Sequence, residues 1–338
     1  MSGCSIGTLS LRLMRGIKHF RVRNASGNVP PASQLLRQLD YIRPNLRFLE
    51  LARCWVYNST GPSLNLSFPC LRLLIISSTF VGVTSLVPYL TIPTTTTVRI
   101  TTYGISDSDF HVLASWVAQC FSGSSSKKRR MEDLELSLGV TGLEGIMLRT
   151  WPDSSGERHG CDSPQFYLKL CQLRGPINSQ ESRIGSLLSV LPLGELQRLT
   201  YCFPSNETRS LLRYFQALPN LHTIQSIGTG FLNKTLDALT ENRDSGQSSV
   251  GSLSPYIPDV SVTFPALRRI VLKSLHFPVG TDTFCPPNLW PDRFAEALRV
   301  RAERGAPLSA VVLKQCVGVD MNHIEELRGS NIEVSVVD

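Results

Sequence analysis

His159 and Cys161 sit close together beside Asp162, residue types that could do chemistry. An imidazole, a thiol and a carboxylate this close could hold a metal ion or pair a nucleophile with a base. The stretch around them is polar and contains Gly156 and Gly160, so the plainer reading is a loop that carries both residues by chance. The histidines, at 19, 111, 159, 222, 276 and 323, are well separated, and none forms an HExxH spacing. No GxSxG elbow, phosphate-cradling Gly-Lys-Ser/Thr loop or dinucleotide fingerprint is present. No catalytic, metal-ligating or cofactor-binding residue is therefore assigned, no cofactor is expected, and the chain reads as a non-enzyme. The rival from another class is an α/β enzyme with an unrecognised active site, whose sign would be a deep pocket holding His111 or His159 beside a carboxylate.

The 338 residues suffice for a sizeable core, and 42% hydrophobic against 18% charged residues excludes wholesale disorder and a fibrous chain. Nine cysteines, an odd count without a CxxC pair, fit reduced thiols and a cytoplasmic or nuclear location. The segment from Met1 to Arg12 lacks a secretory apolar core, no run is long enough for a membrane helix, and sequons such as Asn58 and Asn233 read as chance. The net charge of +7 is spread over scattered arginines, with one compact run at Lys127 to Arg130 after a serine-rich stretch. That run reads as a solvated loop before it reads as a nuclear import signal. Nucleic-acid binding needs a basic face with aromatics for stacking, which the linear sequence does not assemble, so neither nucleic acid nor membrane is an expected partner. Trp116 keeps helical spacing with Phe110 and Leu113 and is expected in the core, whereas Trp151 and Trp290 border loops and are expected to be partly exposed.

A recurring pattern, apolar-x-x-apolar-x-apolar, must organise these residues. It stands at Leu46-Leu49-Leu51, Leu71-Leu74-Ile76, Met131-Leu134-Leu136, Leu196-Leu199-Tyr201, Leu267-Ile270-Leu272 and Leu308-Val311-Leu313. Weaker copies fall at Ile17-Phe20-Val22, Val98-Ile100, Leu168-Leu170, Leu221-Ile224 and Ile332-Val334-Val336. Between them come helically spaced segments such as Leu35-Leu36-Leu39, Phe110-Leu113-Trp116, Ile184-Leu187-Leu188, Leu211-Leu212-Phe215-Leu218 and Phe294-Leu298. Strand followed by helix, repeated, predicts an α/β irregular leucine-rich-repeat solenoid: a horseshoe with a curved parallel sheet and helices on the convex side, because no single repeat buries its apolar face alone. A compact doubly wound domain uses the same alternation. Against it stand lead-ins such as Phe68-Pro69 and Phe264-Pro265, and the absence of a Gly-rich turn after the first strand. Residues 1–338 read as one array, with loop insertions at about 151–163 and 241–260.

The stretch from Leu46 to Phe121, with LRFLELARCW, FPCLRLLIISS and DSDFHVLASWV, resembles the leucine-rich region of F-box-like proteins of mushroom-forming fungi. PDRFAEALRVRAERGAPLSAVVLKQC, from Pro291 to Cys316, resembles that family's closing helix and strand, and with FPALRRIVL from Phe264 to Leu272 the resemblance covers most of the chain. The resemblance implies a substrate-recognition role in an SCF-type ubiquitin ligase, with the repeats selecting a protein target. The family's N-terminal F-box, which binds the cullin-ligase adaptor, is not visible here, so an adaptor is an expected partner only if a hidden or missing box exists. A truncated, non-functional family member is a further alternative. Cys54 and Cys316 occupy the family's cysteine position, three residues after the last apolar residue of a strand, whereas Thr79, Tyr103, Gly139 and Pro204 stand there elsewhere.

Side chains alternate across a strand, so the residue between the paired apolar positions faces the open, concave side. This nominates Arg21, Glu50, Ile75, Arg99, Glu135, Lys169, Thr200, Gln225, Val271, Val312 and Glu333, with Arg53, Lys273 and Lys314 as the next positions outward. The mixed charge of the row suits a protein surface, and the expected partner is a protein of unknown identity.

Overall fold

The structure, a computed structural model, describes residues 16–23, 32–53, 64–104, 110–122, 129–138, 145–152, 163–171, 177–202, 209–227, 236, 238–240, 263–275, 291–319, 321–328 and 332–337. His159, Cys161, Asp162, Trp55, Trp290, Cys54, the stretch 241–260 and most of 151–163 lie outside them. The chain divides into two compact units, Met1–Met131 with Gly139–Pro192, and Glu132–Leu138 with Leu193–Asp338, a division the sequence reading of one array leaves unmarked.

The early strands are β1 (His19–Arg23), β2 (Phe48–Ala52), β3 (Leu66–Ser67), β4 (Leu73–Thr79), β5 (Leu90–Thr91) and β6 (Thr97–Tyr103). The later ones are β7 (Asp133–Leu138), β8 (Gly145–Trp151), β9 (Phe166–Cys171), β10 (Arg198–Cys202), β11 (Thr223–Ile227), β12 (Arg269–Lys273), β13 (Ala310–Lys314) and β14 (Glu333–Val337). The helices are α1 (Ala32–Ile42), α2 (Phe80–Thr84), α3 (Phe110–Ser122), α4 (Ile177–Val190), α5 (Arg209–Leu212), α6 (Pro291–Glu303) and α7 (Met321–Arg328). In the first unit β1, β2, β4, β6, β9 and β8 lie side by side, all parallel except β8, which runs antiparallel to β9. In the second unit β7, β10, β11, β12, β13 and β14 form an all-parallel ladder. The protein is thus α/β with largely parallel strands.

Several of the repeat patterns build the same local structure. In these the first apolar residue closes a tight turn: Leu71 N–H donates to Phe68 O at 3.2 Å, Leu196 to Leu193 O at 3.0 Å, and Leu267 to Phe264 O at 3.1 Å. The next two apolar residues point into the core, as with the fully buried pairs Leu49 and Leu51, Leu74 and Ile76, and Ile270 and Leu272. Each such side chain contributes about 1.5–3 kcal/mol by leaving water.

Strand starts are locked by one carbonyl that accepts from two successive amides of the next strand. Lys18 O takes Arg47 N–H at 2.8 Å and Phe48 N–H at 3.0 Å. Arg47 O takes Arg72 and Leu73, Gln197 O takes His222 and Thr223, and Arg268 O takes Ser309 and Ala310. Strand ends also recur: Arg53 (φ 54°), Ser274 (φ 55°) and Gln315 (φ 51°) sit in the left-handed region immediately after β2, β12 and β13. From there their N–H groups reach the neighbouring strand at Ser77 O, Lys314 O and Val337 O. The left-handed residue turns the chain out of the sheet while preserving one more ladder bond.

The helices bury stripes set by helical spacing: Leu35, Leu36 and Leu39 on α1, and Phe110, Leu113, Trp116 and Val117 on α3. Trp116 is in the core, and its indole N–H donates to Leu90 O at 3.1 Å. Two expectations change. The segment Leu211 to Leu218 is helical only to Leu212 and continues as turns closed by Tyr214 N–H to Leu211 O and Phe215 N–H to Leu212 O. Pro219 disfavours the helical conformation at Leu218, and Leu211, Leu212 and Phe215 are still buried. Trp151 is buried rather than partly exposed, as the last residue of β8.

Two arginines are internal fasteners. Arg129 donates from Nε to Thr94 O at 3.0 Å and from Nη2 to Thr96 O at 2.7 Å, with its guanidinium over the Phe121 and Phe166 rings. It is therefore part of the core and not of a solvated basic loop, while Arg130 is exposed and Lys127 and Lys128 lie outside the described residues. Arg301 on α6 donates to Thr263 O at 2.6 Å, Phe264 O at 2.5 Å and Leu267 O at 3.2 Å, the carbonyls of the turn that leads into β12. Burial lowers the pKa of both, Arg301 to about 10, with Arg268 nearby adding to the effect.

Candidate functional site

The nominated row is best followed along the hydrogen-bonded register of each unit. In the first unit Arg21 lies opposite Glu50, Glu50 opposite Ile75, and Ile75 opposite Arg99. Arg99 is then opposite Tyr167, and Tyr167 opposite Arg149. Lys169 shares this face but stands one rung further along, opposite Thr101 and Met147. In the second unit the row runs Glu135, Thr200, Gln225, Val271, Val312 and Ser335. Glu333 is one rung lower, opposite Ala310, so Ser335 holds the position assigned to it. Lys273 and Lys314 face each other in the outward row, whereas Arg53 is not in such a row: Ala52 is, and Arg53 is the left-handed residue that leaves β2.

Exposure along the row is uneven. Arg21 and Arg53 are exposed, and Ile75, Arg99, Glu135, Lys169, Gln225, Lys273 and Lys314 are half-buried. Glu50 (4%), Thr200 (4%), Val271 (6%) and Val312 (2%) present almost no surface. Strands less than 5 Å apart let short side chains be shaded by longer neighbours. At Val271 and Val312 those include Gln225 and the paired Lys273 and Lys314.

Glu50 is buried for an electrostatic reason. Arg21 Nε lies 2.6 Å from Glu50 Oε2, and Arg23 Nε donates to Glu50 Oε1. The Arg23 pKa is raised, chiefly by that hydrogen bond. The Arg21 guanidinium also lies 5.1 Å from the centroid of the Phe48 ring, which stacks on His19 at 5.9 Å. Arg149 sits 5.6 Å from the centroid of the Tyr167 ring. Arg99 donates from Nη2 to Ser163 Oγ at 3.0 Å. In the second unit Arg198 lies 3.7 Å from Asp133 on the same face.

Arg149 and Met147 were not reached from the sequence because β8 has no leucine repeat pattern, and Tyr167 was missed because Lys169, between Leu168 and Leu170 on β9, was nominated one rung away. The signal that could have found β8 is the two-residue alternation of Ile146, Leu148 and Thr150, all buried on one face.

His111 does line a cavity, of about 720 Å³, between α3 and α4, together with Phe110, Ala114, Arg183 and several serines. No carboxylate is among the described residues that line it. Ser186 and Ser189 spend their hydroxyl hydrogens on carbonyls of α4 itself, Ser182 O and Ser186 O, each at 2.9 Å, and so do not form a nucleophile–base pair with His111. Among the described residues no group of three or more His, Cys, Asp or Glu side chains is placed to hold a metal ion, and no helix is long and apolar enough to cross a membrane. Cys316 follows a left-handed strand end, and its thiol lies 3.4 Å from both Leu272 O and Lys314 O.

The class that fold and faces define is an α/β protein of repeated strand units. No known family, curated protein or solved structure matches the chain.

Proposed function

We propose that this chain is a protein-binding scaffold built as an irregular leucine-rich-repeat array, working like the substrate-recognition part of an F-box ubiquitin-ligase receptor. The observation that carries the reading is the recurrence of one strand unit with unlike side chains at its open-face position, such as Arg21, Glu50, Ile75 and Arg99 in register. A rigid ladder holding varied side chains at fixed spacing suits recognition of a particular protein surface with little ordering cost to the receptor.

Affinity purification with mass spectrometry tests this reading. It compares the native chain, an open-face pair (Ile75→Arg with Gln225→Arg) and a helix control (Arg37→Glu), the last altering an exposed residue of α1. The expected result is a set of proteins retained by the control and lost with the open-face pair. Identical recovery from all three would overturn the reading, and recovery of the cullin adaptor would add ligase assembly.

A further inference from the structure

The cations that look scattered along the sequence are gathered by the register onto one face of the first unit. Arg21 and Arg23 come from β1, Arg99 from β6, Arg149 from β8 and Lys169 from β9, and among the described residues the carboxylate on that face is Glu50. Lys18, Arg47 and Arg72, all exposed, extend the charge along the edge where β1, β2 and β4 begin. The second unit does not share this bias, because Arg198, Arg269, Lys273 and Lys314 are interspersed with Asp133, Glu135 and Glu333.

We infer that the open face of the first unit docks an acidic protein segment, one whose Asp and Glu side chains flank an apolar residue. The inference rests on the scaffold reading and specifies the chemistry of the partner. Three observations favour this occupant. First, the face already binds a carboxylate: Glu50 sits between Arg21 and Arg23, with Arg21 braced on the Phe48 ring. Second, cations remain for an incoming acid. Lys169 has no ion-pair or hydrogen-bond partner among the described residues, and Arg99 spends one Nη on Ser163 out of five N–H donors. Arg99 and Arg149 stand two strands apart, about 10 Å, with Lys169 one rung away, a separation lying between the roughly 7 Å of i, i+2 and the roughly 13 Å of i, i+4 same-side residues of an extended peptide, within the reach of long Arg, Lys and Glu side chains. Third, Ile75 and Leu73, both half-buried, lie between the arginine pair of β1 and the Arg99–Arg149 group, forming an apolar centre within a charged rim.

A single-stranded nucleic acid is the competing polyanion. It needs open aromatic faces on which bases stack. Here His19 and Arg21 lie against Phe48, and Arg149 lies against Tyr167, so that Tyr103, at the end of β6, is the one exposed Phe, Tyr or Trp among the described residues of this face, too few for a run of stacked bases, while Glu50 places a negative charge in the path of a phosphate chain.

The test is fluorescence anisotropy on the full chain with a labelled synthetic peptide in which glutamates flank single leucines, its lysine counterpart, and an oligouridylate. The acidic peptide is expected to bind and to weaken as salt shortens the Debye length from about 10 Å at 0.1 M to about 3 Å at 1 M. The variant R99E/R149E/K169E is expected to lose about tenfold or more in affinity while retaining its circular-dichroism spectrum and melting temperature. R99Q/R149Q/K169Q, which removes charge without reversing it, is expected to fall between the two. No binding of the acidic peptide, equal binding of the lysine peptide, binding unchanged in both triple variants, or tighter binding of the oligouridylate would each overturn the inference. If proteins recovered in the affinity purification are lost with the Ile75→Arg/Gln225→Arg pair yet retained by R99E/R149E/K169E, the scaffold reading stands and the acidic-partner inference fails.

Discussion

Glu50 faces Arg21 directly across the β1–β2 pair, 2.6 Å from carboxylate to guanidinium, and among the described residues it is the most deeply buried charge on the open face of the first unit. A residue whose position in the repeat marks it for contact with a partner is therefore already occupied by two arginines of its own chain. Reversing its charge would test folding rather than binding, which is why the binding variants above leave it intact.

Glu50→Gln keeps the shape of the side chain and removes the charge that Arg21 and Arg23 share. The expected loss is about 1–3 kcal/mol of unfolding free energy, lower than for a fully buried pair because both arginines are more than half exposed to solvent. Urea unfolding of the two proteins side by side checks it. A change within experimental error would show that the clamp does not contribute to stability.

Arg301→Met removes the donors that serve Thr263, Phe264 and Leu267, and Arg129→Met removes those that serve Thr94 and Thr96. Phe264 O keeps Leu267 N–H and Thr94 O keeps Gln165 Nε2, but the carbonyls of Thr263, Leu267 and Thr96 lose their side-chain donor, and each substitution is expected to destabilise by about 2–4 kcal/mol. Arg130→Met, altering an exposed neighbour, should cost less than about 0.5 kcal/mol. Differential scanning calorimetry on the three variants separates the outcomes.

Burial pushes the Cys120 thiol up to about 12, and burial also raises Cys171, Cys202, Cys316 and Tyr201. In the unfolded chain the cysteines ionise near 9, whereas the folded state retains those protons to higher pH. The stability they contribute is whole below about pH 9 and is lost as the pH climbs toward 12. A melting temperature that falls steadily between pH 8.5 and 11 is expected from this sign, and a flat profile would contradict it. Iodoacetamide mapped by mass spectrometry at pH 8 should label exposed Cys70 readily and Cys120 only after denaturant is added.

The left-handed residues that end β2, β12 and β13 carry a side-chain penalty of roughly 1 kcal/mol each. Ser274→Gly and Gln315→Gly should be neutral or stabilising despite the extra flexibility of the unfolded chain, while Gln315→Val should destabilise by more than 1 kcal/mol. Guanidinium unfolding midpoints for the three variants test the assignment of these backbone angles.

Much of the framework was legible because it depends on local alternation. Leu46-Leu49-Leu51 and Leu267-Ile270-Leu272 announce their strands through two-residue spacing, and Phe68-Pro69 and Phe264-Pro265 announce the turns that precede β4 and β12. β8 escaped because it pairs antiparallel to β9 and carries no repeat pattern, so Arg149 and Met147 were missing from the face they help to form. The shift of Lys169 and Glu333 by one rung has a related cause: register is set by which backbone groups bond across strands, not by the spacing of leucines within one strand.

The sequence by itself determined which residues turn inward, where strands start, and that strands alternate with helices, because hydrophobic periodicity and turn chemistry act over a few residues. Tertiary structure alone decided which charges meet. Arg129 and Arg130 are adjacent in the chain, yet one is a buried fastener and the other faces solvent. Arg21 and Arg149 are more than a hundred positions apart and share one face. Charge acts through space with a range set by burial and pairing, and those distances exist only once parallel strands have brought distant segments to within about 5 Å of one another.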